Sequence, residues 1–484
     1  MKFRVVLYYL SLIIIGVGAT MLIPLIFSLI TRSGGALSFA GPAAFCIVTG
    51  AVTRRLTFSS GHKLSTREAI LLVAGAWVVA SAVGALPYYI SGAMPSYIDA
   101  YFEAMSGFTT TGATVLTSIE TQYQGILLWR SITQWLGGMG IIMLFVALFP
   151  VLGIGSAHLI EAEMPGYQHG ERLTARIRDS AKALWFIYLG MTLAEYLLLR
   201  VAGLMPFDAV NISLTTMPTG GFAPTGLSIA AYGNVWVEVI ITVFTIMAGV
   251  NFGLYYFLFF KRQPKHLLRN TEFRIYLAIF LFSGIIISLN LMGQMGLSLE
   301  EAFRCGIFQT ASIMTTTGFT TTNFDLWPTF SKAILLALMV IGACAGSTTG
   351  ALKVVRFIIL FKYIHRRLLI IFKPNTIIPI KVNESPLPDN IISRSISLAL
   401  LYVMLAGAGF IVMSSISMEP LTALSSSIAC LSNVGPGFSM VGAAENYAFI
   451  PIAGKVVLIF LMVAGRLELF TILVLFMPSF WRWR

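Results

Sequence analysis

The sequence predicts an all-α polytopic membrane protein with two N-terminal spans and four helix–pore loop–helix repeats around a central ion path. That amounts to about ten full spans and four re-entrant half-helices. Three observations predict it. Of 484 residues, 57% are hydrophobic and only 11% are charged. A soluble chain carries about a quarter of its residues as charges, so too little polar surface exists here to cover a globule in water. Apolar runs of the ~20 residues needed to cross a bilayer recur from end to end. Finally, a short Thr/Gly-rich segment returns four times, each time between two apolar runs.

The first apolar run begins at Val5 and lacks a signal-type cleavage site, so it reads as a retained span. Two spans, at 5–30 and 37–53, are joined by a loop containing Gly34 and Gly35, and with the basic loop behind them they make up residues 1–66. The repeats then occupy 67–152, 178–260, 271–372 and 391–477. Their short segments carry Met105–Ala113, Ser213–Phe222, Ser312–Phe319 and Ser432–Phe438. Aligned on Gly112, Gly220, Gly318 and Gly435, they recur about every hundred residues, a strong architectural signal. Trp129, Trp236 and Trp327 recur just before the second span of the first three repeats, where interfacial anchors are expected.

Charge placement sets the expected topology. The net charge of +12 is concentrated between apolar runs. One cluster holds Arg54, Arg55, Lys63 and Arg67, another Arg172, Arg176, Arg178 and Lys182, and a third Lys261, Arg262, Lys265, Arg269 and Arg274. The largest runs from Lys353 to Lys381, and Lys2, Arg4, Arg394, Arg482 and Arg484 add to the same side. The positive-inside rule places these segments and both termini in the cytoplasm, so the basic balance reports topology and not nucleic acid. The acidic residues Asp99, Glu103, Glu120, Asp208, Glu300, Glu301, Asp325, Glu419 and Glu445 gather on the opposite side with the short segments. Cys46, Cys305, Cys344 and Cys430 lie apart in apolar contexts and read as structural thiols. The histidines, among them His158, His169, His266 and His365, have no metal-ligand spacing.

A segment of about a dozen residues cannot span a bilayer, and irregular backbone at membrane depth survives only where protein buries it or water lines it. Four such segments surround one aqueous path. Each supplies a short helix whose electronegative C-terminal end points inward and favours a cation. A glycine turn then lets successive carbonyls converge, as a potassium filter requires. Thr110, Thr111, Thr219 and Thr317 add hydroxyl oxygens, and outer carboxylates would concentrate cations at the mouth. A single such segment would read as an ordinary loop or a small-residue helix contact. Four at matched positions favour a pore.

These segments resemble the pore loops of the Trk/Ktr/HKT potassium-transporter superfamily, and the two extra N-terminal spans resemble its TrkH-type membrane subunit. The resemblance covers essentially the whole chain. It implies a selectivity filter that binds K⁺ through Thr110, Thr111, Gly112, Thr219, Gly220, Thr317, Gly318, Val434 and Gly435. Glycine in all four repeats goes with potassium in the family, although Val434 and Pro436 depart from the Thr-Thr-Gly pattern of the other segments. The stretch from Gly342 to Gly350 is a poor helix former that breaks the second span of repeat three; close helix packing is the alternative reading. By resemblance, Gly346, Ser347, Thr348, Thr349 and Gly350 form an intramembrane gate loop, with Lys353 just beyond it. Arg466, an ionisable residue at membrane depth, is a functional candidate by position. It reads either as a pore-facing barrier or as a structural ion pair with Glu468. Asn251, Glu195 and Glu238 make weaker cases.

No nucleotide loop, HExxH or G-x-S-x-G is present, so an enzyme is not expected. A coupled secondary transporter would show inverted repeats, whereas these all share one orientation; an H⁺- or Na⁺-coupled potassium symporter with the same pore is the alternative. Residues 373–390, the longest cytoplasmic stretch, have no room for a nucleotide-binding fold. The resemblance therefore implies that NAD or ATP acts only through a separate cytosolic TrkA-type ring. It also implies a homodimer in a prokaryotic inner membrane, with no cofactor bound covalently.

Overall fold

The computed structural model describes residues 2–58, 64–152, 173–376, 378–383 and 385–482. Lys63, Arg172, Arg484, His158 and His169 lie outside these residues. Among the described residues the regular structure is helical apart from one antiparallel pair of two-residue strands, Lys381–Val382 with Ser385–Pro386, and an isolated bridge between Ile341 and Leu352.

The N-terminal pair consists of α1 (Phe3–Thr20) with α2 (Leu22–Thr31), and α3 (Leu37–Thr57). Helices α1 and α3 approach closely because Gly18 and Gly50 leave room for Cys46 and Ile15. Repeat one follows as α4 (Thr66–Gly84), α5 (Leu86–Ile90), the pore helix α6 (Tyr97–Phe108) and α7 (Gln124–Leu152). The start of α4 is fixed by a capping box between Ser65 and Glu68. Repeat two contains α8 (Leu173–Val201), the pore helix α9 (Pro206–Thr216), α10 (Val235–Ala248) and α11 (Phe252–Phe259). A short helix, α12 (Pro264–Arg269), leads to repeat three, with α13 (Thr271–Met295), the pore helix α14 (Leu299–Met314), α15 (Thr329–Val340) and α16 (Val354–Phe372). Repeat four has α17 (Asp389–Ser415), the pore helix α18 (Pro420–Ser432), α19 (Ile452–Arg466) and α20 (Phe470–Leu473). Pore helices start where the sequence can supply a cap or tolerate a missing N–H: Ser96 and Ser298 cap α6 and α14, and prolines open α9 and α18.

Among the described residues six helices are long and apolar enough to cross a membrane, or eight if each bent pair is one span. The two remaining positions of the ten expected are α7 and the pair α15/α16. The sequence pointed to one broken span, in repeat three; three second spans are broken. Helix α10 turns by 97° into α11, and α19 turns by 116° into the segment Phe470–Phe476. Gly249 ends the first helix and Asn251 caps the next, while Glu468 adopts a left-handed conformation at the second bend. Neither break has the long small-residue run that advertised the one in repeat three.

Ion pairs, one buried and one partly exposed, lock neighbouring quarters together. Lys455, fourth residue of α19, meets Asp99 of pore helix α6 at 2.5 Å. Glu238, fourth residue of α10, meets Arg304 of pore helix α14 at 2.8 Å. The same position on the second helix thus clamps the next pore helix at two diagonal corners, with the charges reversed. Within repeat one, Arg130 meets Glu103 at 2.8 Å, both fully enclosed, and Arg130 also stacks over Phe222 at 4.1 Å. Asp99 and Glu103 are therefore neutralised staples, not the mouth charges expected from sequence. Trp129 is likewise buried, donating Nε1–H to Gly84 O at 3.0 Å, and Trp327 is buried too. Only Trp236 of the three stands at the surface as an anchor would. All four cysteines are buried free thiols.

Candidate functional site: a four-fold glycine ring and the loop beneath it

The four segments after the pore helices repeat one backbone conformation. Thr110, Thr219, Thr316 and Asn433 each take a left-handed φ of 53–58°. The next residue in each then donates its N–H to a carbonyl five positions back. Thr111 N reaches Ser106 O, Gly220 N reaches Thr215 O, Thr317 N reaches Ser312 O and Val434 N reaches Ala429 O, all at 2.8–2.9 Å. A glycine with positive φ follows each: Gly112 (81°), Gly221 (76°), Gly318 (81°) and Gly435 (96°). The register expected from sequence is thus corrected by one residue in repeat two. Gly221, not Gly220, is equivalent to the other three glycines, and Gly220 occupies the place of Thr111, Thr317 and Val434. The double glycine Gly220-Gly221 leaves this ambiguous in sequence, and only the backbone decides it.

The four glycines close a ring. A Cβ added to Gly112 would overlap the carbonyl oxygen of Gly220, one on Gly221 that of Thr317, and one on Gly318 that of Val434. On Gly435 it would lie 2.6 Å from Thr111 O, which returns the circuit to repeat one. Each quarter therefore packs its glycine against the carbonyl of the next, in chain order. Left-handed Thr and Asn residues cost about 1–2 kcal/mol each, and such strain persists only where surrounding structure imposes it.

Side chains fix the ring from behind. The hydroxyls of Thr109 and Thr111 bond at 2.8 Å, as do those of Thr315 and Thr317. Only repeats one and three carry a hydroxyl at this level; Gly220 and Val434 offer backbone alone. Gln134 of α7, buried, donates to Gly220 O at 2.6 Å and accepts from Phe222 N at 3.0 Å. Asn433 donates to Thr111 Oγ1 at 2.9 Å and Met462 O at 3.0 Å, and Tyr447 donates to Gly435 O at 2.7 Å. Sequence reasoning missed Gln134, Asn433 and Tyr447 as site residues. Gln134 did carry a signal, being an amide within a long apolar helix.

Residues 341–353 fold into a closed loop under this ring. Its stem is held by Gly342 N to Leu352 O (2.8 Å) and Leu352 N to Val340 O (3.2 Å). Glu272 Oε1 accepts from both Ala345 N (2.8 Å) and Val355 N (3.1 Å), joining the two ends of the loop. The tip reaches three quarters. Thr348 Oγ1 donates to Met217 O at 3.0 Å, Gly350 N donates to Thr316 Oγ1 at 2.9 Å, and Ala351 N donates to Ser432 O at 2.9 Å. Arg466 adds the fourth: its guanidinium donates to Thr348 O at 2.7 Å and Gly137 O at 3.2 Å. Ser347 and Thr349 share a hydroxyl bond at 2.7 Å, and Lys353 Nζ donates to Thr349. Glu468 pairs with Arg356, the first arginine beyond the loop.

Asn251 and Glu238 prove better placed than sequence suggested. Asn251 caps α11 and lies against Gly346, while Phe252 N donates to Gly346 O and Cys344 N donates to Gly249 O, both at 3.0 Å. Glu238 forms a corner clamp. Glu195 is fully buried on α8 and touches neither the ring glycines nor the loop in any described hydrogen bond.

On the side of the ring facing away from the loop, the connecting segments are cross-linked by carboxylates. Glu120 accepts from Gly226 N at 2.6 Å, which holds its carboxyl below the usual range. Asp325 accepts from Ser439 N at 3.0 Å, while burial pushes its carboxyl upward. Glu419 accepts from Ser439 Oγ at 2.6 Å.

Among the described residues no group of His, Cys, Asp or Glu is arranged to hold a metal ion. Backbone and hydroxyl oxygens are the donor set here, suited to a weakly held monovalent cation.

Comparison with known proteins agrees with this architecture over nearly the whole chain. Residues 38–483 match the TrkH family, described as a cation transport protein. The Trk system potassium uptake protein TrkH of Salmonella typhimurium is 36% identical over 488 residues, with 100% of both chains covered. TrkG of Escherichia coli is 32% identical over 90% of each chain. TrkI of Halomonas elongata is 30% identical over 96% of this chain and 94% of its own. The crystal structure of the potassium transporter TrkH from Vibrio parahaemolyticus superposes with a TM-score of 0.91 at 35% identity, covering 100% of both chains. A ring of four glycines in four like-oriented repeats, with a loop under it, thus sits in a chain that belongs to the TrkH family of cation transport proteins.

Proposed function

We propose that this chain is the ion-conducting membrane subunit of a Trk-type potassium uptake system in a prokaryotic inner membrane. Potassium passes single file through the glycine ring and is stopped or released by loop 341–353. The observation that carries this reading is the closed circuit of Gly112, Gly221, Gly318 and Gly435, each against the carbonyl of the next quarter. Carbonyl rings replace the hydration shell of K⁺, and the C-terminal ends of four pore helices supply negative potential below them. The filter set is Thr110, Thr111, Gly112, Thr219, Gly220, Gly221, Thr317, Gly318, Val434 and Gly435. The gate is Gly346, Ser347, Thr348, Thr349 and Gly350, with Arg466 as its electrostatic lock.

Conduction needs the loop to leave, and its hydrogen bonds to three quarters and to Arg466 set the barrier. The basic segments face the cytoplasm together with both termini. The functional unit is a homodimer, regulated by a cytosolic TrkA-type ring that binds NAD or ATP; no nucleotide acts on this chain itself. Purified protein in liposomes, given a K⁺ gradient and no other solute gradient, is expected to carry K⁺ in preference to Na⁺. Flux that begins only when a proton or sodium gradient is added would replace the channel-like reading with a coupled symporter.

A further inference from the structure

Helix α10 has 14 residues, about 21 Å of rise, and cannot cross the ~30 Å hydrocarbon layer alone. It stops beside the loop, and the chain turns by 97° so that α11 runs sideways. The near end of α11 is bonded to the loop through Phe252 N and Gly346 O. Its far end opens into a tight hook. Arg262 takes a left-handed φ of 53°, Gln263 N bonds to Phe257 O at 3.1 Å, and the Phe257 ring stacks on His266 at 5.0 Å. The hook then joins α13, a 25-residue helix that starts at Thr271 and is long enough to span, so the hook lies at a membrane surface.

The hook exposes two kinds of group side by side. Lys261, Arg262, Lys265, His266 and Arg269 are exposed, and no acidic residue occurs between Phe252 and Thr271. Phe259, Phe260 and Leu268 are exposed among them, at 55–64%. Cations that reach phosphate while neighbouring aromatic and aliphatic groups enter the acyl boundary are the chemistry of an anionic bilayer surface. An acidic protein surface would match the charges but leave the phenylalanines in water.

We propose that the hook at 259–269 docks on anionic lipid headgroups of the inner leaflet and, through α11, holds Gly346 and its loop beneath the filter. This rests on the gate reading above. Anionic lipid then favours the loop-in state, because the headgroups bind the hook in the position from which Phe252 engages Gly346. A lipid can shift the gate only by its differential affinity for the two states, so loss of the cations removes the shift.

The test uses full-length protein in vesicles of phosphatidylcholine alone or mixed with phosphatidylglycerol, with two readouts: retention of labelled phosphatidylglycerol by purified protein, and K⁺ flux. The variant is Lys261→Gln, Lys265→Gln and Arg269→Gln together, leaving the left-handed Arg262 in place; Lys261→Arg with Lys265→Arg is the charge-preserving control. Wild type and control are expected to bind phosphatidylglycerol and to slow several-fold in the mixed vesicles. The triple variant should bind it at least about tenfold more weakly and carry K⁺ equally in both lipids. Equal phosphatidylglycerol binding by wild type and triple variant would overturn the proposal. So would an unchanged lipid response alongside loss of response to a cytosolic protein. Absence of K⁺ flux from every protein in both lipids would instead count against the pore reading, while the binding readout still judges the hook.

Discussion

Substituting Gly221→Ala tests the glycine ring most directly. Two independent costs meet at this position. Its φ of 76° is left-handed, which costs an L-residue about 1–2 kcal/mol. The added Cβ would also overlap the backbone oxygen of Thr317, closer than the 3.0 Å below which real Cβ atoms essentially never go. At Gly435, the least crowded of the four, the same addition sits 2.6 Å from Thr111 O, about 0.7 Å inside an ordinary C···O contact of ~3.3 Å. Gly221 is tighter still, and because both partners are backbone no rotamer change relieves it. The quarter-to-quarter spacing must therefore open by more than an ångström, enough to spoil carbonyl coordination of an unhydrated ion. Gly220→Ala differs in kind: its φ is not left-handed, and its Cβ meets the Gln134 amide and not backbone, so the clash is relieved at the expense of the Gln134 bonds to Gly220 O and Phe222 N. Measured as K⁺ and Na⁺ flux into liposomes, Gly221→Ala should lower the K⁺/Na⁺ preference about tenfold or more, equivalent to about 1.4 kcal/mol. Gly220→Ala should lower it less. The reverse ranking would refute the one-residue register shift and the ring built on it.

Other perturbations separate architecture from gating. Asp99→Asn leaves Lys455 buried without its anion and should cost about 3–5 kcal/mol, read as a lower melting temperature in detergent. Removing Glu238 should cost less, about 1 kcal/mol, because its partner Arg304 is 30% exposed. Arg466→Gln removes donors to Thr348 O and Gly137 O and should raise basal K⁺ flux without altering ion preference; unchanged flux would deny it a role in holding the loop. The Glu120 carboxyl titrates below its ordinary 4.5, so its bond to Gly226 stabilises the fold at neutral pH and is lost as pH falls through the lowered value. Protection of the Gly226 amide against hydrogen exchange, taken relative to its intrinsic rate at each pH, should fall below about pH 4.5, and Glu120→Gln should flatten that dependence.

Much of this was legible in sequence because it rests on patterns the chain repeats. Apolar runs, basic clusters and four Thr/Gly segments carry the helices, the quarters and the ring. The small-residue run from Gly342 to Gly350 marked the loop as surely as the structure does. What escaped was set by tertiary geometry. Gly220 and Gly221 are equal candidates until the backbone assigns φ. The bends after Ala248 and Arg466 depend on single residues, Asn251 as a cap and Glu468 in a left-handed conformation, which compositional reading passes over. Asp99 and Glu103 look like surface acids in a polar segment, and only long-range partners at Lys455 and Arg130 reveal them as buried. Gln134 and Tyr447 act on the ring from other quarters, a relation no local window contains.

The reversed polarity of the two corner clamps has a consequence for how the quarters find their places. In a ring of identical subunits every corner would carry the same acid and base, and any quarter could sit beside any other. Here Asp99 is matched to Lys455, and Arg304 to Glu238. A misplaced arrangement would set Asp99 beside Glu238 and Arg304 beside Lys455, like charges whose burial together costs several kcal/mol. The seating order around the axis is thus written in charge as well as in the linkers. Linking four quarters in one polypeptide frees each to specialise, so repeat three can give up a continuous second helix for the loop at 341–353 while repeat one keeps α7 unbroken.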